Sequence, residues 1–534
     1  MDKKFFVAIA LSVLVLIIYP ALLAKLYPSA QKNTQSQPVY TPPAAPSSVI
    51  SNAAVPAALN IAPATDEGRE AVLENKFFKV VFSNIGAGAN KVYLKNAPGS
   101  PHNELLLFDA TAQKNKPLML DLMPGVRPPL EYNFVKGSDN IFFSAPYSSS
   151  IYIEKTITVS QDEPVLKLEV KIVNKSDKEE RLTYSITGPV SLYSELKQDE
   201  GVVGFNVKSD STVFRDSAIK VKSPKAYKGK FPWVSVRNRY FYFAVKPQSA
   251  LPEVSIERED KGWVYSKLLQ GDIVLKPQET VSTSYTIYIG PLKSSELKKY
   301  GLNEMLHFGF FDPVGKLLLW LLTACYSVTK NYGVAIILLT ILTCLALFPL
   351  SFKSMLSMRQ LQMLQPHMEK IKKDFKDNPQ KLNKETMELY KRHKVNPFGG
   401  CLPLVLQMPI FIALYQVILQ SIELKGARFL WIKDLSLPDA LALPFALPFL
   451  GNHINLLPVL MIGAMFFQQK FANPMAKTQD EQTKMLSFIM PIMFGFIFYN
   501  LAAALVLYWF TNTVVMMMLQ YFILHPILLK KEAV

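Results

Sequence analysis

Asn396 to Gln420, NPFGGCLPLVLQMPIFIALYQVILQ, is the stretch on which the reading of this chain turns. It carries no charge, and it follows directly on the most basic loop in the sequence. Gln407 and Gln416 are its internal polar interruptions. Gly399 and Gly400 break the entry, and Pro403 and Pro409 each remove a backbone donor from a helix of bilayer length. A spanning helix keeps such prolines where neighbouring helices, side chains or water satisfy the freed carbonyls. The segment therefore reads as a packed, functional span inside a bundle.

Working outward, composition agrees. Of 534 residues, 50% are hydrophobic, and the net charge is +16. The apolar residues come in uncharged blocks, which suits an integral membrane protein with basic loops and argues against a nucleic-acid binder. Cys325, Cys344 and Cys401 all lie in apolar segments, at spacings that match no metal or disulfide pattern. No metal set is expected.

Lys3 and Lys4 precede an uncharged run from Phe5 to Ala24, about the ~20 residues needed to cross the hydrocarbon core. A cleaved signal peptide is the alternative, but the run exceeds the roughly 7–15-residue apolar region of such peptides, so residues 1–27 are expected to be an uncleaved anchor. Residues 28–68, rich in Pro, Ala, Ser and Gln, read as a linker that cannot bury enough apolar surface to order itself. From 69 to 292 the pattern becomes alternating: FKVVFS at Phe78, SIYIEKTITVS at Ser150, VLKLEVKIVN at Val165, RLTYSIT at Arg181, YFYFAVKP at Tyr240 and STSYTIYIG at Ser282. Period-two alternation with turn residues between runs predicts an antiparallel β-sandwich. His102 is its one histidine, and no catalytic cluster is evident, so an enzymatic role is not expected.

Residues 293–332 contain the aromatic cluster Phe308, Phe310 and Phe311 and the apolar LLLWLLTACYSVT, too short to span, and are expected to lie along the outer leaflet. A second span is expected over 333–353. Residues 354–396 carry a strong excess of Lys and Arg with an apolar stripe broken at Asn378–Pro379, which predicts a cytoplasmic helical hairpin. Such a loop can meet anionic lipid or the ribosome. Residues 397–534 hold the remaining four spans, and the proline-broken Leu441 to Leu450 between them is expected to hug the membrane. Met485 to Leu524 has no charge, would measure about 60 Å as one helix, and so must fold back, with Asn500 as the turn. The expected fold is an α+β membrane protein with six transmembrane helices, N- and C-termini cytoplasmic and residues about 28–332 periplasmic.

NPFGGCLPLVLQMPIFIALY, the preceding LALFPLSFKSMLSMRQLQMLQP, the downstream ELYKRHKVNP and the closing ALVLYWFTN resemble the YidC family of membrane protein insertases. The loop order is similar to the Gram-negative form, with an extra first span, a large periplasmic domain of β-supersandwich type, and a five-helix insertase bundle. WVSVRNRYFYFAVKP at Trp233 resembles a segment of that domain. The resemblance implies a function without nucleotide or other cofactor: a polar groove, open to cytoplasm and lipid, receives the hydrophilic end of a nascent inner-membrane protein, alone or beside the Sec translocon. Groove-lining roles would fall on Thr340, Cys344, Gln407, Tyr508, Trp509, Thr511 and Asn512, with helix breaks at Pro349, Gly399, Gly400, Pro403 and Pro409.

Two departures from the family stand out. Cys344 lies five residues before Pro349, where the family usually has an arginine, and Ala502, Ala503 and Ala504 stand at a turn where it often has Pro and Gly. No Lys, Arg, Asp or Glu occurs in 333–352, 398–422, 454–469 or 485–524, so the groove should be uncharged. The competing class is a secondary transporter or channel. It is disfavoured because such proteins commonly show repeated halves and intramembrane ionisable residues, and neither is visible here.

Overall fold

Strand by strand, the alternation is realised in three dimensions. The computed structural model describes residues 68–96, 104–122, 129–194, 197–259, 262–376, 378–393, 395, 402–447, 451–472 and 481–524. The expected anchor, the linker, Gly399, Gly400 and Cys401 lie outside them. Ile151–Val159 reads buried at every second position, as a strand with one face in a core must. It sits in a nine-stranded antiparallel sheet between Val165–Asn174 and Asn140–Pro146. On the far side of Val165–Asn174 come Thr280–Pro291, Phe241–Pro247 and Trp233–Arg237, and Gly204–Lys208 and Val213–Ser217 close that edge. A five-stranded and a four-stranded antiparallel sheet complete the β-rich part.

One hydrophobic core joins these sheets. Phe108 of the four-stranded sheet stacks on Phe243 of the nine-stranded sheet with ring centroids 5.8 Å apart, and Phe82 meets Phe143 edge to face at 6.4 Å. Every large side chain in these contacts is buried. Lys155 shares the inward parity of Ile153 and Ile157, and its ammonium is buried with them.

Helices follow. Ser294–Lys299 (α1) and Asp312–Thr329 (α2) lead into Tyr332–Met363 (α3), then Gln365–Asp374 (α4), Pro379–Arg392 (α5), Leu402–Gln420 (α6), Leu456–Ala472 (α7), Glu481–Phe498 (α8) and Ala503–Leu519 (α9). α2 buries Leu318, Leu322 and Cys325 and exposes Leu317, Trp320 and Val328, so both its faces are apolar. α3 runs unbroken through Pro349, so the span expected over 333–353 and the first stripe of the basic segment belong to one helix. Asn378 caps α5 by accepting from Lys381 N, with Pro379 at its first position, where the missing N–H costs nothing.

By length and composition, two helices among the described residues can cross a membrane, Tyr332–Met358 and Ala503–Phe522. Shorter apolar helices occupy Gln407–Gln420, Leu456–Gln469 and Ser487–Phe498. The fold-back falls at the expected place, between Phe498 and Ala503. Leu441–Leu447 and Gly451–Ile454 form an antiparallel pair, where a broken membrane-hugging segment was expected. Its register shifts between Ala442 and Leu447, and Pro444 falls within that shift, where no ladder donor is required of it.

Candidate functional site

Three helices meet at a seam of polar side chains without charge. Gln407 of α6 donates from Nε2 to the Tyr508 hydroxyl of α9 at 2.6 Å. Thr343 of α3 lies beside the same hydroxyl, its own Oγ1 donating to Thr340 O at 2.9 Å. The Cys344 thiol donates to Asn512 Oδ1 at 3.1 Å, tying α3 to α9 a second time. Tyr508 is fully buried, whereas Gln407 and Asn512 are half-buried. The aliphatic neighbours Leu339, Leu414 and Leu507 are buried around them.

Of the residues singled out from the sequence, Cys344, Gln407, Tyr508 and Asn512 are thus brought together. Thr340 is buried one turn away, but its hydroxyl donates to Ile336 O of its own helix at 2.7 Å. Trp509 enters an aromatic cluster with Phe411, Phe494 and Phe498, at centroid distances of 5.2, 5.4 and 5.3 Å. Thr511 is buried. Pro349 and Pro409 lie inside continuous helices, and Pro403 belongs to the first turn of α6. Among the described residues, no three His, Cys, Asp or Glu side chains gather as a metal set.

A second group, missed at the sequence level, fixes the β domain to the C-terminal end of α6 and the N-terminal end of α9. Arg239 follows the strand Trp233–Arg237 and is buried. Its Nε donates to Leu419 O at the C-terminal end of α6 at 2.8 Å, and Nη2 donates to Ser436 O at 3.2 Å. Nη1 lies 3.3 Å from Asp199 Oδ2, closing a buried ion pair. A cation at a helix C-terminus also meets the negative end of the helix dipole. The flanking carbonyls of Leu437 and Leu435 accept from Ala503 N at 2.8 Å and Ala504 N at 3.0 Å, so the loop held by Arg239 satisfies the first donors of α9. Arg237 adds a bond from Nη1 to Gln420 Oε1 at 2.8 Å. Two arginines within WVSVRNRYFYF were the available signal; their partners on α6 lie about 180 residues away.

The build is that of an apolar helical bundle of membrane-protein composition, carrying a β domain fastened to the helix ends and an uncharged polar seam between three helices. Residues 324–530 match the family described as 60Kd inner membrane protein, and residues 73–321 match the YidC periplasmic domain. The chain is 30% identical over 559 residues to the membrane protein insertase YidC of Geotalea uraniireducens, covering 98% of this chain and 99% of that one. It is 35% identical over 331 residues to the YidC of Endomicrobium trichonymphae, covering 60% of this chain and 61% of that one. A crystal structure of an active YidC insertase aligns over 85% of this chain and 93% of its own, at 21% identity and a TM-score of 0.39. The chain belongs to the YidC family of membrane protein insertases.

Proposed function

We propose that this protein inserts nascent integral membrane proteins into the inner membrane, and that the seam between α3, α6 and α9 takes the hydrophilic end of the client. One observation carries the reading: the Gln407–Tyr508 and Cys344–Asn512 bonds, with Thr343 beside them, form an uncharged polar strip inside an apolar bundle of an insertase-family chain. A polar segment crossing hydrocarbon alone costs several kcal/mol. Exchange of its hydrogen bonds with these neutral groups and with water lowers that cost. Partition of the client's apolar span into lipid then drives release, at a few tenths of a kcal/mol per residue (about 0.3–0.6 for Leu, Ile, Phe or Val). No nucleotide enters this scheme.

In this reading five helices of the bundle cross the membrane beside an N-terminal anchor, giving six spans. α6, with 19 residues, rises about 28 Å, near the ~30 Å hydrocarbon thickness. α4 and α5 form a cytoplasmic hairpin whose basic surface faces anionic lipid or the ribosome, both termini are cytoplasmic, and the β domain is periplasmic. Cooperation with the Sec translocon belongs to the same proposal. Crosslinking from a stalled nascent span to photo-reactive groups at Thr340, Gln407 and Trp509 tests it. Adducts are expected at all three while the client's polar end is engaged. Adducts confined to lipid-facing positions such as Phe496 would refute the seam. Depletion should stop insertion of small membrane proteins and leave solute uptake unchanged; the reverse would point to a transporter.

A further inference from the structure

Between the β domain and the helix ends lies a cavity of about 610 Å³ with two unlike walls. One wall is cationic, with Arg215, Arg237 and Arg239 from the β domain. The other is apolar, with Ile418 and Leu419 at the end of α6 and Leu505 in the first turn of α9. Its acidic residues are already committed. Asp199 is held by Arg239, and Asp216 is held by Lys225 and the Tyr227 hydroxyl. Arg215 and Arg237 hydrogen-bond only neutral acceptors among the described residues, while the Asp312 and Glu304 carboxylates that act on the Arg215 charge from outside the cavity are paired with Lys316 and Lys208. Arg215 donates to Val213 O at 3.3 Å and Glu304 O at 3.4 Å, and Arg237 donates to Gln420 Oε1 at 2.8 Å. His307, also on the wall, adds no countercharge, and it is held below its usual pKa, by burial first and then by the Arg215 charge. The cavity thus presents two guanidinium groups with no direct hydrogen bond to a carboxylate, beside apolar helix ends.

We infer that this cavity binds one phospholipid of the outer leaflet, with its phosphodiester between Arg215 and Arg237 and its acyl chains leaving along Ile418, Leu419 and Leu505. The inference rests on the proposed crossing of the membrane by α6 and α9, which puts their outer ends at headgroup depth. Its volume falls within the roughly 300–1,000 Å³ of small-molecule sites, enough for a headgroup and glycerol backbone. Guanidinium groups suit a phosphate because they donate in a planar fork. A free anion would use the cationic wall alone, and only a lipid uses both.

Native mass spectrometry of the full-length protein, delipidated in detergent and titrated with dioleoylphosphatidylglycerol or dioleoylphosphatidylethanolamine, tests this. One lipid of either kind is expected to remain bound after the bulk detergent is removed. The Arg215→Gln/Arg237→Gln variant should lose at least tenfold in retention, and Arg215→Lys/Arg237→Lys should recover most of it. Ser217→Trp, which keeps both cations but fills the cavity from its edge strand, should lose the lipid too; thermal melts identify any variant that fails to fold, and the lysine pair then decides. Unchanged retention in folded variants would overturn the proposal. So would displacement of the lipid by inorganic phosphate at millimolar concentration, which would mark a free-anion site, or by an acidic peptide, which would mark a client segment. Client crosslinking at Gln407 in the same variants keeps the two readings apart. Unchanged lipid retention in the folded variants with wild-type client adducts intact counts against this site alone, and lipid retained by the wild type without client adducts at Gln407 counts against the seam alone.

Discussion

Lys155 offers the sharpest quantitative test of the β domain. Its ammonium is fully buried and donates to Ala87 O at 2.6 Å and Leu118 O at 2.7 Å, with the Tyr132 ring 5.9 Å away. No carboxylate offsets its desolvation, and burial lowers its pKa from 10.5 to about 7. Because the folded pKa is depressed, the unfolded chain binds the proton more tightly. The associated stability is therefore present above pH 10.5 and is lost as the pH falls towards 7. At about 1.4 kcal/mol per pKa unit, wild type should gain about 3 kcal/mol between pH 7 and pH 9.5 from this residue alone. Lys155→Met lacks the titrating group and orphans two carbonyls, a fixed cost of about 1–3 kcal/mol each. Denaturant unfolding in detergent, followed by tryptophan emission at both pH values, should show the gap between wild type and Lys155→Met widening by that ~3 kcal/mol. Parallel pH dependences would mean that the lysine stays charged in the fold, and the reasoning would fail.

Three further outcomes follow from the bundle and its junction. Arg239→Ala strands Asp199 and the Leu419 and Ser436 carbonyls, so a loss of about 3–5 kcal/mol is expected in the same unfolding assay, with only partial rescue by Lys. Gln407→Leu removes the bond to Tyr508, which should change stability by only about 0.6–1.7 kcal/mol while insertion into proteoliposomes drops for clients with polar tails; equal insertion of all clients would deny Gln407 its role. Cys344→Arg puts a cation beside Asn512 at a cost of about 2.5–3.5 kcal/mol, and insertion of acidic-tailed clients should rise over that of neutral ones; an equal fall for both would show that the seam cannot hold the charge.

What was legible in the sequence is what depends on short-range pattern. Alternation located Ile151–Val159 and Val165–Asn174, and by parity it also turned Lys155 inward. The charge-free run from Met485 to Leu524 required a fold-back, expected at Asn500 and found between Phe498 and Ala503. Contacts spanning the chain were not legible. Arg239 with Leu419, and Cys344 with Asn512, lie 180 and 168 residues apart, and no local periodicity distinguishes them from other buried polar groups. The apolar hairpin from Leu441 to Ile454 was missed because its prolines suggested a broken segment, whereas a register shift lets a strand pair absorb one of them.

The clamp and the seam bear on the same two helices. Arg239 donates to the Leu419 carbonyl at the end of α6, and the loop it holds through Ser436 O also satisfies the first amides of α9, so these ends are joined by hydrogen bonds through one buried guanidinium whose charge Asp199 of the β domain balances. Farther along, the Gln407–Tyr508 bond joins α6 to α9 through side chains. Inside a bundle such a bond is worth about 0.6 kcal/mol on average, against about 1.5–3 kcal/mol for each hydrogen bond from a charged group such as Arg239. Thermal separation of α6 from α9 should therefore begin at the seam and splay away from the β domain. In the proposed orientation the pair opens toward the cytoplasm, the side from which a client's polar end arrives, and the β domain serves as the fixed end of the hinge.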